Sequence, residues 1–340
     1  MDAGVFNKII TGLYRYVGIP LCILGNLGNV FCVLIFVQKS WRKNVCVFYF
    51  LVCLLLDFIY INSIMLGSIF IFAFNIDLIK SNTILCKIYR YLTFFPNIMS
   101  ATILILASID RLLISSQNVD TRLYSSRRLA YLLISTSTFF WLIFFLHVPI
   151  KFNIQQISPF VFICVHDTMS LYGPFLDYSM VTINVVSFLV MIILSILSFK
   201  NVRRIRSIPR RQRRTGRIMR KKDFQLLRCL FAKDIIYIIF NAYQCIYFLY
   251  KLDPKSRPQT NSERERDTFI FYLGASIQYI PSCVSFIIYT IISRAFRQTC
   301  KRVTWKMFGK DFNVTREEDL NEQEIERNGN ELVVVSTIAI

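Results

Sequence analysis

The chain has 340 residues, 54% of them hydrophobic and 18% charged, and 40 Lys and Arg against 21 Asp and Glu leave it at +19. A soluble two-domain globule of this length would not carry 31 Phe and so little charge. The hydrophobic share excludes a disordered basic protein, and the length exceeds anything a disulfide-stapled secreted module needs; a membrane protein remains.

A hydrocarbon core about 30 Å thick takes roughly 20 mostly apolar helical residues. Seven such windows follow one another: Tyr16–Val37, Val45–Ala73, Ile84–Ser116, Leu129–Ile150, Leu171–Phe199, Phe224–Tyr250 and Thr268–Ile292. The expected fold is an all-α membrane protein, a seven-transmembrane helix bundle followed by a short amphipathic eighth helix. The third window is the least apolar at its start, and the sixth holds Lys233 beside Asp234. Met1–Thr11 lacks a basic segment, short apolar run and small-residue cleavage site, so the first span is expected to act as its own insertion signal.

Basic residues in alternate connections orient the bundle. One set holds Lys39, Arg42 and Lys43, then Arg122, Arg127 and Arg128, then a dense run from Lys200 to Lys222. The opposite set offers Lys80, Lys151 and a stretch from Lys251 to Asp267 in which acids balance the bases. The N-terminus is therefore expected outside and the C-terminus inside. The division is an extracellular segment 1–15, a bundle 16–292 with its third inner loop at 200–222, an amphipathic helix 293–308 and an acidic, disordered cytoplasmic tail 309–340. Of the cysteines, only Cys86 and Cys164 fall together on the oxidising side, and they are expected to pair. The remainder within spans read as small hydrophobes.

Asp57 lies mid-span in LLLDFIY, at a cost of about 2.5–3.5 kcal/mol on insertion scales. It is expected to face the interior, with Asn29 and Ser100 as polar neighbours. Two roles stay open for it, helix glue and an ion- or switch-coupled group. At the inner end of the third span Asp110 precedes Arg111, whose charge persists at any accessible pH and needs a partner; Asp223 at the start of the sixth span is a second carboxylate for it.

Arg111 follows Cys86 by 25 residues, and with that spacing the chain resembles a rhodopsin-like (class A) G-protein-coupled receptor. Gly28-Asn29, Asp57, Cys86, Asp110-Arg111-Leu112, Trp141 with Pro149, and Ser285-Phe286-Ile287-Ile288-Tyr289 stand in the order of that family's motifs from Gly28 to about Phe308. Leu112 replaces the family's Tyr, Ser285 and Phe286 replace its Asn and Pro, and Phe240-Asn241-Ala242-Tyr243-Gln244-Cys245 stands where its Cys-Trp-x-Pro is expected. These departures are similar to those of divergent invertebrate FMRFamide-type neuropeptide receptors. The resemblance implies a plasma-membrane receptor whose switch is Asp110, Arg111, Asp223 and Tyr289, and a polar or ion site at Asn29, Asp57, Ser100 and Ser285 from which the substitutions at Ser285 and Phe286 remove a sodium ligand.

Where amine receptors carry an Asp, this chain has Thr93, and at the opsin lysine position it has Tyr279. The resemblance thus favours a peptide over an amine, held by Thr93, Asn97, Tyr243, Gln244, Tyr247, Gln278 and Tyr279. The expected partners are that extracellular ligand, a heterotrimeric G protein, anionic lipids at the basic inner loop and, as a further implied one, arrestin. Nucleic acid is not among them, because the basic run is tethered between spans. Cys300 in the amphipathic stretch is a palmitoylation candidate against a plain thiol. Asn313-Val314-Thr315 is a sequon facing the cytosol, and Ile338-Ala339-Ile340 a candidate strand for a PDZ-like domain. No catalytic residue, metal or cofactor is implied. The rival readings are a transporter or channel using Asp57 and Lys233/Asp234, and a G-protein-independent seven-helix pseudoreceptor.

Overall fold

A computed structural model describes residues 3–116, 120–121, 124–158, 161–166, 171–207, 221–252 and 260–307. Arg122, most of the basic run (208–220), the acidic tail, the Asn313 sequon and the terminal Ile338–Ile340 lie outside the described residues. The chain to Ala295 is one compact unit, and a second begins at Phe296.

The first helical rod starts at α1 (Ala3–Leu13), passes a π turn at Tyr14–Gly18 and continues as α2 (Ile19–Phe36). Helix therefore begins well before the expected Tyr16. Contacts explain it: Phe6 lies 5.1 Å from the Phe269 ring, Tyr14 stacks on Phe72 at 4.9 Å, and Arg15 donates to the Ala73 carbonyl at 2.7 Å. The short α3 (Lys39–Arg42) buries Trp41 and leads to α4 (Val45–Tyr60), whose first turn is capped by the Asn44 side chain on the Cys46 amide. A second π turn, Ile61–Met65, joins α4 to α5 (Leu66–Phe74), which Asn75 ends in the left-handed conformation that Asn tolerates.

The central α6 (Thr83–Ile114) is capped by Asn82 and carries Pro96 in its interior. On the perimeter, α7 (Arg127–Phe144) buries only Ala130 and leaves Leu132, Phe139 and Ile143 exposed, a surface suited to lipid. The Trp141 indole donates to Thr102 Oγ1 at 2.9 Å and ties α7 to α6. After α8 (His147–Lys151) comes an element outside the seven expected helices. Strands β1 (Phe152–Ser158) and β2 (Val161–His166) pair antiparallel with Ile154 opposite Cys164. The Cys86–Cys164 disulfide pins this hairpin over the start of α6, so the fold is helical with a two-stranded lid.

The long α9 (Tyr172–Ser207) continues past the expected end at Phe199 into the basic run. The sixth span, α10 (Lys221–Leu252), has no proline and runs uninterrupted. The last rod begins earlier than expected, at α11 (Asn261–Ile277), with a Thr260–Glu263 capping box. It then breaks into α12 (Ile280–Cys283) and α13 (Ser285–Ile292). Pro281 supplies no N–H to the Ile277 carbonyl, and the two halves incline at 45°. Finally α14 (Arg294–Met307) alternates basic and apolar residues.

Among the described residues six helical rods are long and apolar enough to cross a bilayer, and the bent pair Glu265–Cys283 and Ser285–Ile292 makes a seventh when counted as one span. The chain is thus a multi-pass helical membrane protein. Its two ends are distinguished below as the disulfide end and the Arg111 end.

Candidate functional site

At the Arg111 end, one guanidinium is held from three elements. Arg111 lies on the last turns of α6 with its side chain fully buried. Its Nη2 and Nε donate to Asp110 Oδ2 at 2.5 and 3.1 Å, and its Nη1 pairs with Asp223 Oδ1 of α10 at 3.3 Å. The sequence reading missed a fourth member, Asn44. Its Oδ1 accepts from Arg111 Nη2 at 3.3 Å, while its Nδ2 donates to Asp223 Oδ1 at 2.5 Å. The available signal was its place as cap residue just before the second span. Ser125 donates to the remaining Asp110 oxygen at 2.5 Å. A buried guanidinium flanked by two carboxylates satisfies its donors without water, and here it bridges α6 to α10.

Tyr289 is buried in α13 against the rings of Phe36 and Phe50 at 5.1 and 5.3 Å. Close by, Gln225 Oε1 accepts from Ser293 Oγ and the Ala295 amide, joining the start of α10 to the end of the last rod.

Midway through the bundle, Asp57 of α4 is 4% exposed, and its Oδ2 lies 3.0 Å from the Lys233 ammonium of α10, itself 5% exposed. Ser285 Oγ donates to the same oxygen at 3.4 Å. The adjacent Asp234 turns elsewhere, accepting from Ser108 and Ser195 at 3.2 and 3.5 Å. Consecutive helical side chains do not share a face, so the Lys233 and Asp234 neighbours in sequence serve different partners. Of the expected polar neighbours, Asn29 donates to the Ser282 carbonyl at 3.3 Å beside the Pro281 break. Ser100 shares with Asp57, Lys233, Tyr237 and Ser282 the lining of a chamber of about 20 Å³, enough for a single water.

A polar column leads from that chamber toward the disulfide end. The Tyr237 hydroxyl donates to Asn97 Oδ1 at 3.4 Å, Asn241 Nδ2 to the Tyr237 carbonyl at 2.9 Å, and Gln278 Nε2 to Asn241 Oδ1 at 2.9 Å. Asn97 and Gln278 also line a much larger cavity, about 520 Å³, roofed by β2 and walled by α6, α9, α10 and α11. Thr93, Gln244 and Tyr279 line it as well, with Tyr279 hydroxyl 2.9 Å from Ser68 Oγ and Thr93 returning its hydroxyl to the Tyr89 carbonyl at 2.8 Å.

Two residues expected among the ligand contacts lie elsewhere. Tyr243 is wedged between α10 and α11, donating to the Ile270 carbonyl at 3.1 Å over Gly274. Tyr247 is buried against Phe271 at 5.5 Å, with the Lys251 ammonium 5.7 Å from its ring. Helical phase is hard to fix from sequence when nearly every position is apolar. Conversely, Arg90 and Asp177 do line the cavity and were not anticipated. Cys300 is a free, half-buried thiol on α14.

The chain matches no protein-family model and no curated protein.

Proposed function

We propose that the chain is a seven-span, rhodopsin-like G-protein-coupled receptor of the plasma membrane, with the disulfide end outside and the Arg111 end facing a cytoplasmic G protein. One observation carries this reading. Two of the helices that wall the large cavity, α6 through Thr93 and Asn97 and α10 through Gln244, are joined at their far ends by the Arg111–Asp223 contact. A ligand that changes how α6 and α10 meet at one end therefore acts on the ionic latch at the other. Opening the latch leaves Arg111 needing acceptors, which a partner's backbone or carboxylates supply. Near-complete switching requires the ligand to prefer the open form by about 5.5 kcal/mol.

A test that needs no ligand follows from the latch. Asp223→Asn weakens the hold on Arg111 and is expected to raise ligand-independent nucleotide exchange on a co-expressed G protein, whereas Arg111→Ala is expected to abolish exchange with surface expression retained. Basal exchange unchanged in Asp223→Asn, together with full signalling by Arg111→Ala, would sink this reading.

A further inference from the structure

The large cavity contains two charged groups with no ion-pair partner among the described residues. Four residues with permanent or carboxylate charge line it: Asp77, Lys80, Arg90 and Asp177. Asp77 and Lys80 satisfy each other at 3.0 Å. Arg90 has no carboxylate partner among the described residues; one Nη donates to the Cys164 carbonyl at 2.8 Å, the guanidinium carbon stands 5.4 Å from the centre of the Phe152 ring, and the buried Nε has no acceptor. Those two contacts clamp Arg90 under the hairpin on the cavity lining.

Asp177 is the opposite case. It projects from the second turn of α9, above Met180 and Asn184 on the same cavity wall, half-buried, with no hydrogen bond or ion pair to any described residue. The cation nearest in effect, Lys251, gives its ammonium to Asp267 at 2.5 Å. An unpaired carboxylate and an unpaired guanidinium donor withdrawn from bulk water are costly to the empty protein, and both are compensated by one ligand that carries a cation and an acceptor. The cavity volume of about 520 Å³ lies within the range of about 300–1,000 Å³ that encloses a drug-sized molecule, larger than a lone amine fills. Phe94, Phe152, Phe248, Phe271 and Tyr272 supply broad apolar walls between the polar groups.

We propose that this cavity selects a short basic peptide, its cationic side chain paired with Asp177 and a backbone carbonyl accepting from Arg90. The assignment rests on the receptor reading for what the bound peptide would signal, and not for whether it binds. With Thr at position 93, α6 lends the cavity lining no carboxylate for a cation; Asp177 provides one from α9 instead.

The experiment uses the full chain purified into lipid nanodiscs, with thermal unfolding as the readout. Three pools of tetrapeptides, acetylated and amidated at their ends and matched in aromatic content, differ at one position only: Arg or Lys, norleucine or citrulline, or Glu. The basic pool is expected to raise the melting temperature at about tenfold lower concentration than the neutral pool, the ratio that one charge-assisted hydrogen bond sets. Asp177→Asn should erase that advantage, and Asp177→Lys should transfer it to the Glu pool. Because Asp177 makes no hydrogen bond or ion pair to any described residue, both variants should melt no lower than the parent without peptide, which separates lost binding from lost folding. Equal stabilisation by the neutral pool, no stabilisation by the basic pool, or an advantage that survives Asp177→Asn overturns the proposal. Asp177-dependent binding without any change in G-protein exchange keeps the ligand assignment and removes the receptor reading.

Discussion

Replacing Lys233 with Met keeps most of the side-chain volume and deletes the ammonium 3.0 Å from Asp57 Oδ2. At that separation the attraction is about 5.5 kcal/mol with an effective dielectric of about 20. The loss of pairing is not the whole effect, since the carboxylate left behind is 4% exposed and is left with serine hydroxyls, Ser282 and, at 3.4 Å, Ser285. Breaking a buried pair from one side typically costs about 3–5 kcal/mol, whereas replacing both charges by neutral groups is often close to neutral. Lys233→Met is therefore expected to lose about 3–5 kcal/mol and Asp57→Asn a comparable amount, because an unpaired ammonium is then buried. The double variant should recover more than half of either loss. Reversible denaturation in mixed micelles, followed by helical circular dichroism, measures all four corners of this cycle. A single variant within about 0.5 kcal/mol of the parent, or a double variant whose loss equals the sum of the singles, would show that Lys233 and Asp57 do not compensate one another and refute the reasoning.

Two other consequences concern the disulfide end. The bond between Cys86 and Cys164 closes a separation of 78 residues, which in the chain-entropy account stabilises by up to about 4.5 kcal/mol; Cys164→Ser is expected to lower the melting temperature of the purified protein, and dithiothreitol should lower that of the parent but not of the variant. Gly274 permits the close approach of α10 and α11, since a Cβ there would sit 2.3 Å from the Tyr243 ring and 2.9 Å from Gln244 Oε1. Gly274→Ala should destabilise by about 1–3 kcal/mol, the usual range for overpacking, and Tyr243→Ala in the same chain should relieve most of it; the cost is read by the same micelle denaturation.

Much of the order along the chain was legible because hydropathy is a property of windows. Apolar stretches of about 20 residues announce spans whatever they pack against, and the rods fall where those stretches lie. Their ends were harder. Ala3–Leu13 is helical with Phe6 against Phe269 and Tyr14 just beyond it against Phe72, and Asn261–Asp267 continues the last rod outward from a capping box. The hairpin had a signal that went unread, two runs rich in Ile, Val and Phe on either side of Ser158-Pro159. Pro281, four residues before Ser285, likewise marks a break in the last rod although Phe286 is not proline.

The charged residues show where that legibility stops. From sequence, Asp57 had to face the interior, Arg111 had to find a carboxylate, and Cys86 and Cys164 were the two thiols left on one side. Only the packed bundle decided that Lys233 reaches across to Asp57 while Asp234 turns to Ser108 and Ser195. It also decided that Asn44 completes the Arg111 latch, and that Arg90 and Asp177, rather than Tyr243 and Tyr247, line the large cavity. The physical reason is the solvent. In water a helix advertises its buried face by being apolar on one side; in lipid both faces are apolar, so the rotation and height of each rod, and with them the partner of every polar side chain, are set by side-chain fit between helices and not by anything a single span records.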